Sequence, residues 1–303
     1  MKKITTAIIP VAGYGTRRLP IAKTIEKCML PIGNRPIIDY VVADCIAAGI
    51  TEIWFVVGEE STQIREYFGR NEKLEEYLRI HKKTDKLKQI QPIKNVNFHY
   101  VTQSRNDKYG TTIPVALALK EIATNRRINV ENLSESILVV MGDDFLYYHD
   151  EKLSKNATRM EIIAEHSDFK KMLANTNEEE AAMLGVRIPL QKVSEYGVIS
   201  LDEKQNFREI VEKPAPENAP SDLINVSKYV FPPRLSKLVV KSAQDENSMH
   251  EGEYPIIDPI NDFVREGGIM KIIPAKGEYL DGGSLAGWLY ANEVVGRDLL
   301  AKG

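Results

Sequence analysis

The chain has 303 residues, 43% hydrophobic and 27% charged, with 40 Lys and Arg against 43 Asp and Glu for a formal net charge of −3. This composition excludes disordered, collagen-like and coiled-coil classes, and at roughly 150 residues per domain it leaves ample chain for a real core. A sequence pI near 6.1 argues against a surface that coats nucleic acid, which needs a basic excess or stripe, so any phosphate chemistry has to be local.

Ile4 to Val11 is an apolar, β-branched run that leads directly into Ala12-Gly13-Tyr14-Gly15-Thr16-Arg17, the pattern of a buried strand feeding a glycine-rich loop. Pro10 interrupts the run, and no later stretch approaches the roughly 20 apolar residues of a membrane span, so neither export nor insertion is expected. Ile37 to Ala48 has helical periodicity closed by Gly49, and Ile53 to Val57 is a second buried strand ended by Gly58. Thr62 to Phe68 suggests a helix, and Asn71 to Gln89 a long, charged, solvated one. Asn97 to Gln103 alternates as a strand, Ile113 to Thr124 is helical, and Ser136 to Met141 is a core strand ending in Gly142-Asp143-Asp144.

Strands alternating with helices to about residue 150 specify an α/β fold: a doubly wound, mostly parallel sheet with helices on both faces and its ligand site at the strands' carboxyl ends. The second half is less regular. Asp150 to Leu173 holds at least one helix, and Ala182 to Ile188, Gly197 to Leu201 and Phe207 to Val211 read as short strands. After the proline-rich loop 214–220 come a strand from Leu223 to Phe231, a helix from Ile257 to Arg265, a strand from Met270 to Pro274 and a closing helix from Ser284 to Ala301. No repeat or linker divides the chain. Cys28 and Cys45 are too few for a disulfide framework and lack His or Cys neighbours at metal-ligand spacing, so reduced thiols in a cytoplasmic protein are expected.

Several constellations carry chemistry. Glycines at 13 and 15 let backbone N–H groups approach an anion, and Arg17 or Arg18 could bracket phosphate oxygens, although a tight turn would use the same glycines. Lys23 and Lys27 add to these arginines within one connection, a clustering suited to a polyphosphate pocket. Asp143-Asp144 stands where a strand-end carboxylate would meet Mg²⁺, or where a polar turn would follow a strand; adjacent side chains diverge, so one of the two at most points inward. Glu212-Lys213-Pro214 and Asp281-Gly282-Gly283 complete the set. The five histidines, His81, His99, His149, His166 and His250, fall outside every motif and read as structural or surface groups.

In order along the chain, Gly-x-Gly-Thr-Arg-x-Leu-Pro (13–20), Lys-x-Met-Leu-Pro (27–31), Gly-Asp-Asp (142–144), Tyr-Gly-Val (196–198), Val-Glu-Lys-Pro (211–214) and Asp-x-Gly (281–283) resemble the motifs of the sugar-nucleotide pyrophosphorylases. The resemblance spans nearly the whole chain and is nearest the bacterial branch that couples UTP to glucose 1-phosphate, whose typical insertion the charged stretch 71–89 matches. It implies a single nucleotidyltransferase domain over 1–303, Rossmann-like, with a nucleotide-binding half at about 1–150 and a sugar-binding half, including a smaller β subregion, at about 151–303.

Carried over residue by residue, the resemblance implies that Ala12, Gly13, Gly15 and Thr16 hold the nucleotide, Arg17 the leaving pyrophosphate and Lys27 the phosphates. Gln103 and the backbone near Gly110 would meet the uracil, while Gly197, Glu212 and Lys213 would receive the sugar phosphate. Asp143 and Asp281 would share Mg²⁺. The implied reaction gives UDP-glucose and pyrophosphate in a homodimer or homotetramer, without nucleic-acid or membrane partners. Departures gather on the sugar and base walls: Glu26 and Cys28 flank Lys27, Lys108 to Pro114 replaces a glycine-rich stretch, Ser227 stands for a glycine, and Tyr254-Pro255 breaks a helix-opening motif. The alternatives are therefore the same chemistry on another sugar phosphate or NTP such as dTTP, or a catalytically weak regulator that binds sugar nucleotides. A hydride-transferring enzyme is disfavoured by the missing third glycine and by Gly58, where an acidic residue would end the next strand.

Overall fold

The computed structural model describes residues 3–149 and 159–302. The first strand, β1 (Thr6–Pro10), leads into a long connection of short 3₁₀ turns at Thr16–Arg18, Ile21–Lys23 and Lys27–Met29. The hairpin of β2 (Pro31–Ile32) and β3 (Arg35–Pro36) closes that connection and delivers the chain to α1 (Ile37–Ala47) and β4 (Glu52–Gly58). Then follow α2 (Gln63–Phe68), α3 (Glu72–Ile80), β5 (Asn97–Gln103), α4 (Thr112–Asn125) and β6 (Ile137–Val140).

The expected single helix over 71–89 is two pieces. The helix α3 stops at Ile80, Lys82 takes a left-handed φ of 56°, and a 3₁₀ segment covers Thr84–Gln89. His81-Lys82-Lys83-Thr84-Asp85-Lys86 offers nothing apolar to bury, so no packing face carries a helix through it.

Beyond β6, a strand not anticipated from the sequence, β7 (Asp144–Tyr147), begins at the second aspartate of the pair. The helical stretch expected from 150 to 173 lies partly outside the described residues; the described part forms α5 (Arg159–His166) and α6 (Asp168–Ala174). The remaining strands are β8 (Ala181–Arg187), β9 (Gly197–Leu201), β10 (Phe207–Glu212) and β11 (Leu223–Phe231). A helix missing from the sequence reading, α7 (Pro233–Ser242), opens on a proline at its first turn; α8 (Ile257–Arg265), β12 (Met270–Pro274), β13 (Glu278–Asp281) and α9 (Leu285–Lys302) follow.

Among the described residues nine strands form one sheet, with β10, β9, β11, β6, β1, β4 and β5 in spatial order and β8 and β12 attached through β11. Strands β6, β1, β4 and β5 run parallel, whereas β11 runs antiparallel to β6, β8 and β9, so the sheet is mixed. Period-two alternation builds a core on each face. Ala7, Ile9, Leu138 and Val140 pack toward α1, α2, α5, α6 and α9, while Ile8, Ile137 and Val139 pack toward α4, α7 and α8. The chain winds outward from β1 through β4 to β5 and then returns to the other side of β1 as β6. The strand order therefore reverses between β1 and β6, and a crevice opens outside their carboxyl ends.

Gly142 closes the bottom of that crevice. A Cβ there would lie 2.5 Å from Val11 Cγ1 and 3.1 Å from Ile38 Cδ1, inside a packed core. Gly142→Ala should therefore lower unfolding stability by about 1–3 kcal/mol, read by denaturant titration; an unchanged midpoint would show that the turn yields without cost.

Candidate active site

The glycine loop leaves β1 with Val11 N–H bonded to the Val56 carbonyl at 2.8 Å, and Ala12 passes over Gly58 at the end of β4. Gly15 is left-handed, with φ 63°, and a Cβ on it would sit 3.1 Å from Lys27 Cβ, so the loop rests directly on that lysine. Gly13 differs: no protein atom lies within 4 Å of its missing Cβ. The fold does not require glycine there for space, and the open surface lets a ligand reach the backbone.

Lys27 reaches across the crevice to Asp143, Nζ to Oδ2 at 2.5 Å. Burial works against both charges, yet each partner outweighs it for the other, so the ammonium lies above its ordinary range and the Asp143 carboxyl below its own. Glu26 braces the turn that carries Lys27. Its backbone N–H donates to Gln63 Oε1 and its Oε1 accepts from Gln63 N–H, both at 3.1 Å, while Oε2 accepts from Ser61 Oγ at 2.7 Å. Cys28, on the other flank, is buried with its thiol pushed up by desolvation, and it serves as an apolar filler.

Asp281 ends β13, which pairs with β7 so that Asp281 faces Asp144 and Leu280 faces Phe145. Gly282 N–H donates to the Asp143 carbonyl at 3.0 Å. A Cβ on Gly283 would stand 3.0 Å from Asp281 Oδ1 and 3.2 Å from Asp143 Oδ2, so the two carboxylates converge on one small space that glycine leaves clear. Among the described residues no group of three or more His, Cys, Asp or Glu is arranged to hold a metal. Two carboxylates at a strand-end crevice nevertheless fit Mg²⁺, which keeps waters and takes its other oxygens from substrate phosphates.

Asp144 is also buried, but it points elsewhere. Its Oδ1 is ion-paired with Lys228 Nζ, its Oδ2 accepts from Tyr279 OH at 2.9 Å, and Lys228 is 0% exposed. Burial pushes Asp144 up to about 6, against the opposing pull of Lys228, with Asp143 and Asp281 adding to the rise.

On the β9–β10 side of the crevice Gly197 pairs with Glu212 across the two strands, and a Cβ on Gly197 would lie 3.1 Å from Glu212 Oε2. Lys213 is half exposed, held at φ 44° with its N–H on the Tyr196 carbonyl at 3.0 Å, a strained conformation of the kind found at functional sites. The Tyr196 ring meets the Tyr279 ring edge-on at 6.1 Å and so links this wall to the carboxylates. Ser227, which stands for a glycine, is left-handed at φ 52°; near it Asn225 Nδ2 donates to Tyr229 OH at 2.6 Å. On the far side, Gln103 lies opposite Gly58 at the end of β5. Gly110 has φ 123°, and a Cβ on it would meet Tyr254 N at 2.2 Å, because the 109–112 backbone is bonded to that of Tyr254.

The expected residues thus divide into a central group of Gly13, Gly15, Lys27, Asp143 and Asp281, flanked by Gly197, Glu212 and Lys213 on one side and Gln103 and Gly110 on the other. Thr16 and Arg17 are exposed on the loop. Arg18 is a correction. Rather than joining a phosphate-bracketing cluster it is 4% exposed, its guanidinium 5.0 Å from the Trp288 ring centroid, because the 3₁₀ turn rotates it inward toward α9. Sequence reading also missed Lys228, although a lysine between the apolar ends of strand 223–231 was a visible signal. A cavity of about 370 Å³ between α4 and α7, lined by Lys120, Lys237 and Lys241, shares no residue with this site. Among the described residues no helix is long and apolar enough to cross a membrane.

A doubly wound sheet with paired carboxylates and a cradling glycine loop at its switch point defines a nucleotide-handling α/β protein. A model of the nucleotidyl transferase family matches residues 6–296, and the chain belongs to that family. A UTP–glucose-1-phosphate uridylyltransferase of Streptococcus pneumoniae is 31% identical over 80% of this chain and 75% of its own. Another from Streptococcus pyogenes serotype M3 is 32% identical over 80% and 75%. Among solved structures, a UTP-bound UGPase from Acinetobacter baumannii matches with TM-score 0.78 at 26% identity, over 97% of this chain and 93% of its own. A UDP-glucose pyrophosphorylase complexed with UDP-glucose gives TM-score 0.75 at 25% identity, over 97% and 99%.

Lys27→Met removes the cation that holds the Asp143 carboxyl below its ordinary value. A carboxyl lowered in the folded state adds stability above its unfolded pKa and loses it as pH falls through the folded pKa. The melting-temperature gap between wild type and Lys27→Met should therefore be fully open near neutral pH and narrow as pH falls below about 4 in a differential scanning series; a constant gap would show that the pair carries no electrostatic weight.

Proposed function

We propose that the chain joins UTP and glucose 1-phosphate into UDP-glucose and pyrophosphate. The observation that carries this reading is the convergence of Lys27, Asp143 and Asp281 on one space beside the open backbone of Gly13. A phosphate oxygen of glucose 1-phosphate attacks the α-phosphorus of UTP in line; that P–O bond forms as the bond to the β-phosphate bridge breaks, and pyrophosphate departs. The sugar phosphate, with a second pKa near 6, is already largely dianionic at neutral pH, so no general base is needed. What remains is to bring two polyanions together, a task for positioning and charge neutralisation.

In this reading Ala12, Gly13, Gly15 and Thr16 cradle the nucleotide phosphates, Arg17 receives the pyrophosphate, and Lys27 holds the phosphates from beneath. Gln103 at the end of β5, with the backbone around Gly110, meets the uracil edge. Glu212 accepts hydrogen bonds from sugar hydroxyls over the bare Gly197, and the half-exposed Lys213 binds the sugar phosphate. Asp143 and Asp281 would hold Mg²⁺, which supplies neutralisation of phosphate charge when bound.

A second reading keeps the reaction and changes the sugar. The left-handed Ser227 puts a side chain where the related pattern has glycine, with the buried Asn225–Tyr229 hydrogen bond behind it, and such a wall would favour a different hydroxyl arrangement.

Pyrophosphate release, measured for each NTP against a panel of sugar 1-phosphates with and without Mg²⁺, separates these. UTP with glucose 1-phosphate should give the highest kcat/KM, and Asp143→Asn or Lys213→Ala should lower the rate at least about 10²-fold. A higher kcat/KM with another sugar selects the second reading. No turnover with any pair, alongside measurable UDP-glucose binding, would replace both with a binding role.

A further inference from the structure

We propose that Lys228 is a positioning residue whose buried ammonium fixes Asp144 and, through it, the geometry of the Asp143–Asp281 pair; this rests on the reading of that pair as the divalent-cation site. A lysine with no exposed surface is rare, and replacing a buried ion pair with apolar side chains is often neutral or stabilising, so stability alone is a poor reason for its presence.

Lys228 lies on β11 opposite Val140, the last residue of β6 before the Asp143 turn. Its Nζ reaches both ends of that turn, contacting the Met141 carbonyl at 3.4 Å and Asp144 Oδ1. Ser227, its chain neighbour, accepts from Met141 N–H at 3.1 Å, so β11 grips the turn from backbone and side chain together. Asp144 uses its other oxygen on Tyr279 OH, and across the β7–β13 pair it stands in register with Asp281. One side chain therefore joins three elements: Asp143 precedes it in the chain, Asp281 faces it across the ladder, and Lys228 anchors it from below.

Charge makes the same point. Asp143, Asp144 and Asp281 lie close enough that both neighbours act on Asp144. Lys27 occupies the ligand side of Asp143, and Lys228 supplies the compensating charge from the interior. With Lys228 present, Asp144 is engaged and turned away, and Asp143 and Asp281 alone face the cation. Without it, a third carboxylate is released beside them, repelling its neighbours and loosening the turn.

The test measures Mn²⁺ binding by electron paramagnetic resonance to the whole protein with UDP-glucose present, together with the Mg²⁺ half-saturation of turnover, KM for glucose 1-phosphate and melting temperature. Lys228→Met should weaken Mn²⁺ binding and raise the Mg²⁺ half-saturation at least about tenfold, as expected for a group that orients metal ligands, while KM for glucose 1-phosphate moves less than about twofold. Lys228→Arg, which keeps the charge, should recover most of the loss. Should Lys228→Met fail to fold, Asp144→Asn carries the test: it keeps a partner for Tyr279 but removes the counter-charge of Lys228, and it should weaken Mn²⁺ binding in the same sense. Unchanged Mn²⁺ binding in every variant that folds, with only a lowered melting temperature, would reduce Lys228 to a structural role and overturn the proposal. Wild-type protein that binds no Mn²⁺ would instead overturn the cation reading on which the proposal rests.

Discussion

Three aspartates lie at the carboxyl ends of β6 and β13, and like charges at that density do not stay together unless something opposes their repulsion. Two lysines do so from opposite sides. Lys27 comes from the crevice side, on a loop braced by Glu26 and Gln63, and Lys228 from the interior, on an antiparallel strand. The rest of the site depends on this arrangement, because it decides which carboxylates face the crevice and which is turned into the core.

The fold supplies the means. Parallel strands β1 and β6 bring the glycine loop and the Asp143 turn to one rim, where the strand order reverses. Antiparallel β11 runs beside β6, with Lys228 opposite Val140, and so carries a buried lysine under that rim. From β11 the same sheet continues to β9 and β10, so the Glu212–Lys213 wall is built on the framework that holds the carboxylates, with Tyr196 against Tyr279 as the junction.

Much of this was legible in the chain. Strands at Asn97–Gln103 and Leu223–Phe231 and the helix Ile257–Arg265 coincide with their sequence patterns, since each has a clear period and a clear stop signal. The motif residues at strand ends were readable for the same reason: a glycine or carboxylate directly after an apolar run sits at the rim whatever else the sheet does. The long helix over 71–89 failed because charge pairing supports a helix only where a face is also buried, and past Ile80 none is. Strand β7 escaped notice because Gly142-Asp143-Asp144 has the composition of a turn, and only pairing with β13 makes Asp144 a strand residue.

The local pattern by itself therefore determined the class of fold, the rim on which chemistry would occur and the residue types available there. Those properties follow from hydrophobic periodicity and from the φ freedom of glycine, both local along the chain. Tertiary structure alone decided which charges meet. Lys27 and Asp143 are 116 positions apart and Lys228 and Asp144 are 84 apart. Arg18, next to Arg17 in sequence, is carried away from the rim of the glycine loop to lie against Trp288. An ammonium finds its carboxylate through the register of strands and the depth of burial, and neither quantity is written in the spacing of residues along one segment.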